Sequence, residues 1–171
     1  MRLKINANDH VLGKASAPIE IIEYADFQCP YCRQSYYRIK DIQKELGDDL
    51  RFVFRHFPLA ELHPHAVHAA IAAETAAAQN RFWEMHDIIF ENQRHIDDHH
   101  LIEYAKEIGL DVARFEKDFG KDPYFQKVNH DYETGIQNNV DTTPTFFVNG
   151  VIYEGNYMDA SFFTYLKSFI R

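Results

Sequence analysis

Apolar and polar positions alternate along the chain in two periods. Pro18-Ile-Glu-Ile-Ile-Glu-Tyr-Ala25 is a near-continuous apolar run with β-branched residues, which predicts a strand buried on both faces in parallel pairing. From residue 30 to 46 the period becomes helical, with Cys32, Tyr36, Ile39, Ile42 and Leu46 on one face and Gly47 as the stop. Leu50 to Phe57 alternates again, and Pro58 ends it. Strand, helix and strand at this spacing make a βαβ unit with a right-handed crossover.

The pattern then stays helical for a long stretch. His65 to Ala78 is Ala-rich; Phe82, Met85, His86 and Ile89 repeat at helical spacing; Leu101, Ala105 and Ile108 repeat before Gly109. Two further helices are expected over 111–119 and 122–138. The strand period returns at Thr145–Val148, with Asn149-Gly150 as a hairpin turn and Val151–Tyr153 as the partner strand. A closing amphipathic helix is expected over 159–170, with Phe162, Leu166, Phe169 and Ile170 inward, and residues 1–17 read as an irregular lead-in. The fold class is therefore α/β, ordered βαβ, helical block, ββα. The absence of internal repeats and of any Gly-, Ser- or Pro-rich linker makes the block an elaboration of one unit. Residues 1–59 and 140–171 form the first part of this division and residues 60–139 the inserted helical subdomain.

The chain has 171 residues and a formal net charge of −8. That length buries enough surface to fold without staples. The negative charge, with no basic run, argues against nucleic-acid binding and against an anionic membrane surface. No apolar stretch approaches the roughly 18 residues of a membrane span. The basic start is not followed by an apolar run and so is not a secretory signal. This predicts a cytoplasmic protein if the N-terminus is native, and a periplasmic or otherwise extracytoplasmic one if a leader has been removed.

The whole cysteine content is Cys29 and Cys32, with two residues between them, at the junction of the first strand and its helix. Amide N–H groups at a helix start have no intrahelical partner, and with the helix dipole they favour a thiolate at Cys29. Pro30 suits the first helical turn. Cys32 lies about one turn deeper, within disulfide reach. The pair thus offers an exposed attacking thiol and a buried resolving thiol, the apparatus of thiol–disulfide exchange. A metal site, an inert structural disulfide and an iron–sulfur cluster shared between chains also fit two such cysteines. A second CxxC is missing, however, and histidine is not spaced close to Cys32.

Glu23 shares strand parity with Ile19, Ile21 and Ala25. It is either a poorly solvated proton acceptor for Cys32 or an outward-pointing surface residue. Asp26 reads as a cap or turn residue. The ten histidines include the clusters His63, His65, His68 and His95, His99, His100. They read as a solvated helix face with caps, without an acidic or Cys partner to complete a metal site.

Tyr24-Ala-Asp-Phe-Gln-Cys-Pro-Tyr-Cys32 resembles the active-site segment of DsbA-like thioredoxin-fold proteins. Gly13 with Ala17-Pro18, Phe57-Pro-Leu with His63-Pro64 and the Ala-rich helix, and Thr143-Pro144-Thr-Phe-Phe match that family in order and spacing over residues 10–171. The resemblance implies a thioredoxin fold with a helical insertion and a protein disulfide oxidoreductase that needs no cofactor. It also implies cysteine-containing protein substrates and a redox partner protein. Cys29 would be the nucleophile, Cys32 the resolving thiol and Glu23 the buried acid. Thr143 and Pro144, in the cis-proline loop, would dock substrate backbone. Tyr31 stands where the oxidant that names the family has His, so Pro30 and Tyr31 together give the Cys-Pro-Tyr-Cys pattern of glutaredoxins. An enzyme acting on glutathione mixed disulfides is accordingly one alternative; a non-catalytic metal- or cluster-binding module is the other.

Overall fold

A computed structural model describes residues 2–170; residues 1 and 171, the outer ends of the division above, lie outside it. The order is β1 His10–Leu12, β2 Ile19–Ala25, α1 Pro30–Leu46, β3 Leu50–His56, then α2 Ala66–Ala77, α3 Phe82–Glu91, α4 Asp98–Glu107, α5 Val112–Asp118 and α6 Asp122–Gln137. The chain closes with β4 Thr145–Val148, β5 Val151–Ile152 and α7 Ala160–Lys167.

The strands form one sheet in the order β1-β3-β2-β4-β5. β2 and β3 are parallel, with Glu23 opposite Phe54, while β4 runs antiparallel to β2, with Glu23 opposite Phe146. The apolar run of β2 is explained by cover on both faces. Ile19, Ile21 and Ala25 join the larger core with α1, α2, α3 and α7. Ile22 and Tyr24 join a second cluster with Val53, Phe57, Val140 and Phe147 on the other face. Asn149 and Gly150 both have positive φ, 47° and 80°, as a two-residue hairpin turn matched to strand twist requires.

Three boundaries differ from the sequence reading. The lead-in is not wholly irregular: His10–Leu12 adds antiparallel to β3 as an edge strand. Three residues are too few to display a period, and their pairing depends on Gly13, whose Cβ would lie 2.2 Å from the Leu50 carbonyl oxygen. β5 ends at Ile152, where Tyr153 turns its ring onto Phe162 at 4.6 Å. α7 stops at Lys167, so Phe169 and Ile170 pack half-buried beyond its end.

No helix among the described residues is long and apolar enough to cross a membrane.

Candidate active site

Cys29 is the N-cap of α1, in extended conformation, and Pro30 occupies the first turn. The amide of Asp26 on the preceding loop approaches Cys32 Sγ at 3.4 Å. Both cysteines are free thiols. Cys32 is fully buried, and Cys29 retains only 4% exposure, which corrects the expectation of an exposed attacking thiol. The cause is the loop before β4: Cys29 Sγ lies 3.6 Å from the Thr143 carbonyl oxygen as donor to it. That loop carries a cis peptide bond between Thr143 and Pro144. The Thr143 hydroxyl is buried and unpartnered among the described residues.

The two thiols are electrostatically unlike. The Cys32 S–H hydrogen bond, helped by the helix-start amides of Tyr31 and Cys32, outweighs burial and lowers Cys29 from 9.0 to about 6. Burial pushes Cys32 well above 9.0, and the nearby Cys29 and Glu23 charges add to that. The amides at the helix start thus contribute alongside a larger cause, the neighbouring thiol.

Glu23 is 3% exposed, which excludes the surface reading. Its Oε1 accepts a hydrogen bond from Ser35 Oγ at 2.5 Å, and the same hydroxyl reaches the Cys32 carbonyl at 2.9 Å. Burial raises the Glu23 carboxyl from 4.5 to about 8, against the Ser35 hydrogen bond. Tyr31 is exposed and accepts, at its carbonyl, the Tyr157 hydroxyl at 3.3 Å.

Asp26 is a turn residue, accepting the Gln28 amide at 2.7 Å, and it is also buried. Its second oxygen accepts the Leu59 amide at 2.8 Å and meets His63 Nδ1 at 2.7 Å. Two of the clustered histidines pair with single acids rather than gathering a metal-ligand set: His63 meets Asp26, and His68 meets Asp98 at 2.7 Å. These partners come from distant parts of the chain, which one-dimensional spacing does not display. The capping role falls to Asp97, the N-cap of α4, which accepts the His100 amide at 3.2 Å and meets His100 Nδ1 at 2.7 Å with its other oxygen.

Three arrangements escaped the sequence reading. Gln93, after α3, donates to the carbonyls of Phe27 at 2.9 Å and Cys29 at 2.8 Å and so pins the turn that presents the thiol. Burial, with the nearby Cys32 and Glu23 adding to it, raises the Tyr157 hydroxyl to about 12. His56, Glu74 and Asp131 come together in the interior with metal-ligand atom types. Both His10 and His56 engage Glu74, and Lys127 engages both Asp131 oxygens, so each acid there already has a cationic or imidazole partner. None of these three had a local signal; a lone Gln in a loop carries no period or motif. Beside Pro30, a cleft of about 920 Å³ opens between Gln28, Arg33, Tyr37, Glu91 and Arg94.

The thioredoxin family's sequence pattern matches residues 5–168. Among curated proteins, the chain is 37% identical over 162 residues to Na(+)/H(+) antiporter NhaA 1 of Mycolicibacterium vanbaalenii, covering 94% of this chain and 26% of that protein. It is 40% identical over 149 residues to Na(+)/H(+) antiporter NhaA of Herminiimonas arsenicoxydans, covering 87% of this chain and 24% of that protein. The chain spans about a quarter of the length of these relatives. Among solved structures, a thioredoxin-like oxidoreductase from Silicibacter pomeroyi superposes with a TM-score of 0.83 at 21% identity, over 95% of this chain and 92% of that one. Oxidised BdbD from Bacillus subtilis gives 0.81 at 24% identity, over 93% and 91%. Wolbachia pipientis α-DsbA1 gives 0.81 at 22% identity, over 97% and 92%.

Proposed function

The chain belongs to the thioredoxin family, with the fold of its DsbA-like members, and from that premise we propose that it is a thiol–disulfide oxidoreductase acting on protein cysteines through Cys29 and Cys32. The observation that carries this reading is the opposed behaviour of the two sulfurs: Cys29 is lowered to about 6 while Cys32, one turn deeper, is raised. At neutral pH such a pair holds a thiolate at one position and a thiol at the other.

In the reductive direction Cys29 thiolate attacks a substrate disulfide. One substrate sulfur leaves as thiolate and the other stays bonded to Cys29. Cys32 then gives its proton to Glu23 and attacks Cys29 Sγ. The Cys29–Cys32 bond forms, the mixed disulfide breaks, and the second substrate sulfur departs. Oxidation of a substrate dithiol is the reverse. In this reading the Thr143–Pro144 loop receives substrate backbone beside Cys29, and the unpaired Thr143 hydroxyl is available to it. Pro30 and Tyr31 tune the thiolate, and residues 60–139 elaborate the thioredoxin unit. Gln93, within that block and bonded to the Cys29 carbonyl, supports the last point.

The test is alkylation of the reduced protein across pH. Cys29 should react with a midpoint near 6, while Cys32 stays inert through the neutral range. Cys29→Ser should abolish insulin disulfide reduction, and Cys32→Ser should accumulate mixed disulfides with client proteins. Equal alkylation of the two thiols would count against the assignment. The midpoint potential in glutathione buffers sets the direction. A strongly oxidising value points to disulfide formation outside the cytoplasm, and a low one to a reductase.

A further inference from the structure

Glu23 has a second environment besides the thiols. It lines a small cavity of about 10 Å³ together with Tyr36 and Lys40 of α1, Phe52 of β3, and Trp83 and His86 of α3. That volume suits about one water molecule. On the Glu23 side, Oε1 is held by Ser35, and the carboxyl makes no other protein hydrogen bond among the described residues. On the far side, His86 is 4% exposed, and its Nδ1 lies 2.8 Å from Asp87 Oδ1. Asp87 Oδ2 in turn accepts from Lys40 Nζ at 2.6 Å. The Lys40 and Asp87 side chains are 38% and 30% exposed. Titratable groups therefore run from the buried acid across a one-water cavity to the surface, through walls that are otherwise largely aromatic and aliphatic.

A buried acid that takes a proton from Cys32 has to release it before the next turnover. We propose that His86, oriented by Asp87 and Lys40, carries the Glu23 proton to and from solvent through one water in this cavity. The inference rests on the role given to Glu23 above. With Nδ1–H donated to Asp87, the neutral ring leaves Nε2 as the acceptor. The protonated Glu23 carboxyl gives its proton to the water, and the water gives one to Nε2. The Nδ1 proton passes to the Asp87–Lys40 pair and on to solvent, which leaves the ring as its Nε2–H tautomer; uptake of a proton from solvent to Glu23 runs the same steps in reverse and restores Nδ1–H. No bond other than those to hydrogen changes; the water ends neutral, and Glu23 is left as the carboxylate that the next proton from Cys32 neutralises. Burial holds His86 below its ordinary value, so the ring rests neutral and ready to accept. The charged groups around this route are Cys29 and Cys32 beside Glu23, and Asp87, Lys40 and His56 around His86. Tyr36 also faces the cavity, but its hydroxyl is committed to Glu91 at 2.9 Å.

The experiment is a pH jump from 6 to 9 on the reduced protein, following the infrared band of the protonated carboxyl that Glu23→Gln removes. His86→Phe keeps an aromatic ring among Phe54, Trp83 and Phe90, and Lys40→Met changes a half-exposed position. Both should slow loss of the band by roughly tenfold or more and leave its titration midpoint near 8. Multiple-turnover insulin reduction should slow with them, while single-turnover resolution of a preformed mixed disulfide should not. A purely structural role would move both kinetic phases together and would overturn the proposal. So would relaxation at the wild-type rate in both variants. If His86→Phe does not fold, Lys40→Met decides alone. If Glu23→Gln removes no band titrating near 8, the role of Glu23 itself fails, and that result is distinct from failure of the route.

Discussion

Glu23 sits on a strand whose other inward residues are Ile19, Ile21 and Ala25, so its carboxyl faces a core that cannot solvate charge. This residue therefore destabilises the fold at neutral pH. Its carboxyl is raised from 4.5 to about 8. Below the lower value both folded and unfolded chains hold the proton, and the group is neutral to stability. Between the two values only the folded chain holds it, so stability falls as pH rises, by on the order of 5 kcal/mol across the window. Glu23→Gln removes this dependence. Its advantage over the wild type should be near zero at pH 4 and grow through pH 8 in urea denaturation. A gap that stays constant from pH 4 to pH 8 would show that Glu23 ionises as freely in the fold as in water. Alternation supplied the residue and its face, but whether that face met water or α1 was settled by packing.

Among the elements, α6 approaches the sheet side through a glycine. Gly135 lies inside this helix, where Ala is ordinarily the better helix former by about 1 kcal/mol. A Cβ there would meet the ring of Phe57 at 2.7 Å and Tyr24 at 3.2 Å. Phe57 cannot swing aside easily, because it is 1% exposed and stacked on Tyr132 with centroids 4.6 Å apart. Gly135→Ala should therefore destabilise the protein by about 1–3 kcal/mol. A lower urea midpoint with an unchanged slope is the expected result; a raised midpoint would mean that α6 has room to move. The helical period of residues 122–138 is plain in the sequence, yet nothing in it says that this glycine is the contact point with β2 and β3. α1 is the opposite case: its five predicted inward residues, Cys32, Tyr36, Ile39, Ile42 and Leu46, are all buried. One face of a helix against one sheet leaves the period little freedom.

At the scale of the whole molecule, Glu74 ties three parts of the chain together. His10 on β1 approaches it at 2.8 Å and His56 on β3 at 2.7 Å, while Glu74 itself belongs to α2. These two imidazoles hold its carboxyl far below the ordinary carboxylate range despite the opposing effect of burial. A depressed acid contributes stability that is present above its unfolded value of 4.5 and lost as pH falls through the folded one. Glu74→Gln should lower the melting temperature, and the deficit should widen as pH rises from 3 to 5. An equal deficit at both ends of that range would mean that the clasp acts through shape alone. The alignment of Asp131 with the His56 amide at 3.1 Å, and of Lys127 with Asp131, extends the same tie to α6.

The sequence by itself determined what is local: two strands and a helix from their periods, the Asn149-Gly150 turn from its backbone demand, and the Cys29–Cys32 pair from its place at a helix start. Each is decided within a few residues, where backbone sterics and one-face burial leave few solutions. Tertiary structure decided what depends on distant partners. It brought Thr143 over Cys29 and so covered a thiol expected to be open. It added His10–Leu12 to β3, gave the Cys29 carbonyl to Gln93, and placed His56, Glu74 and Asp131 in one interior cluster. The charge state of Cys29, Cys32 and Glu23 belongs to this second class. Desolvation and hydrogen bonding are set by what packs around a group in three dimensions, not by its neighbours along the chain.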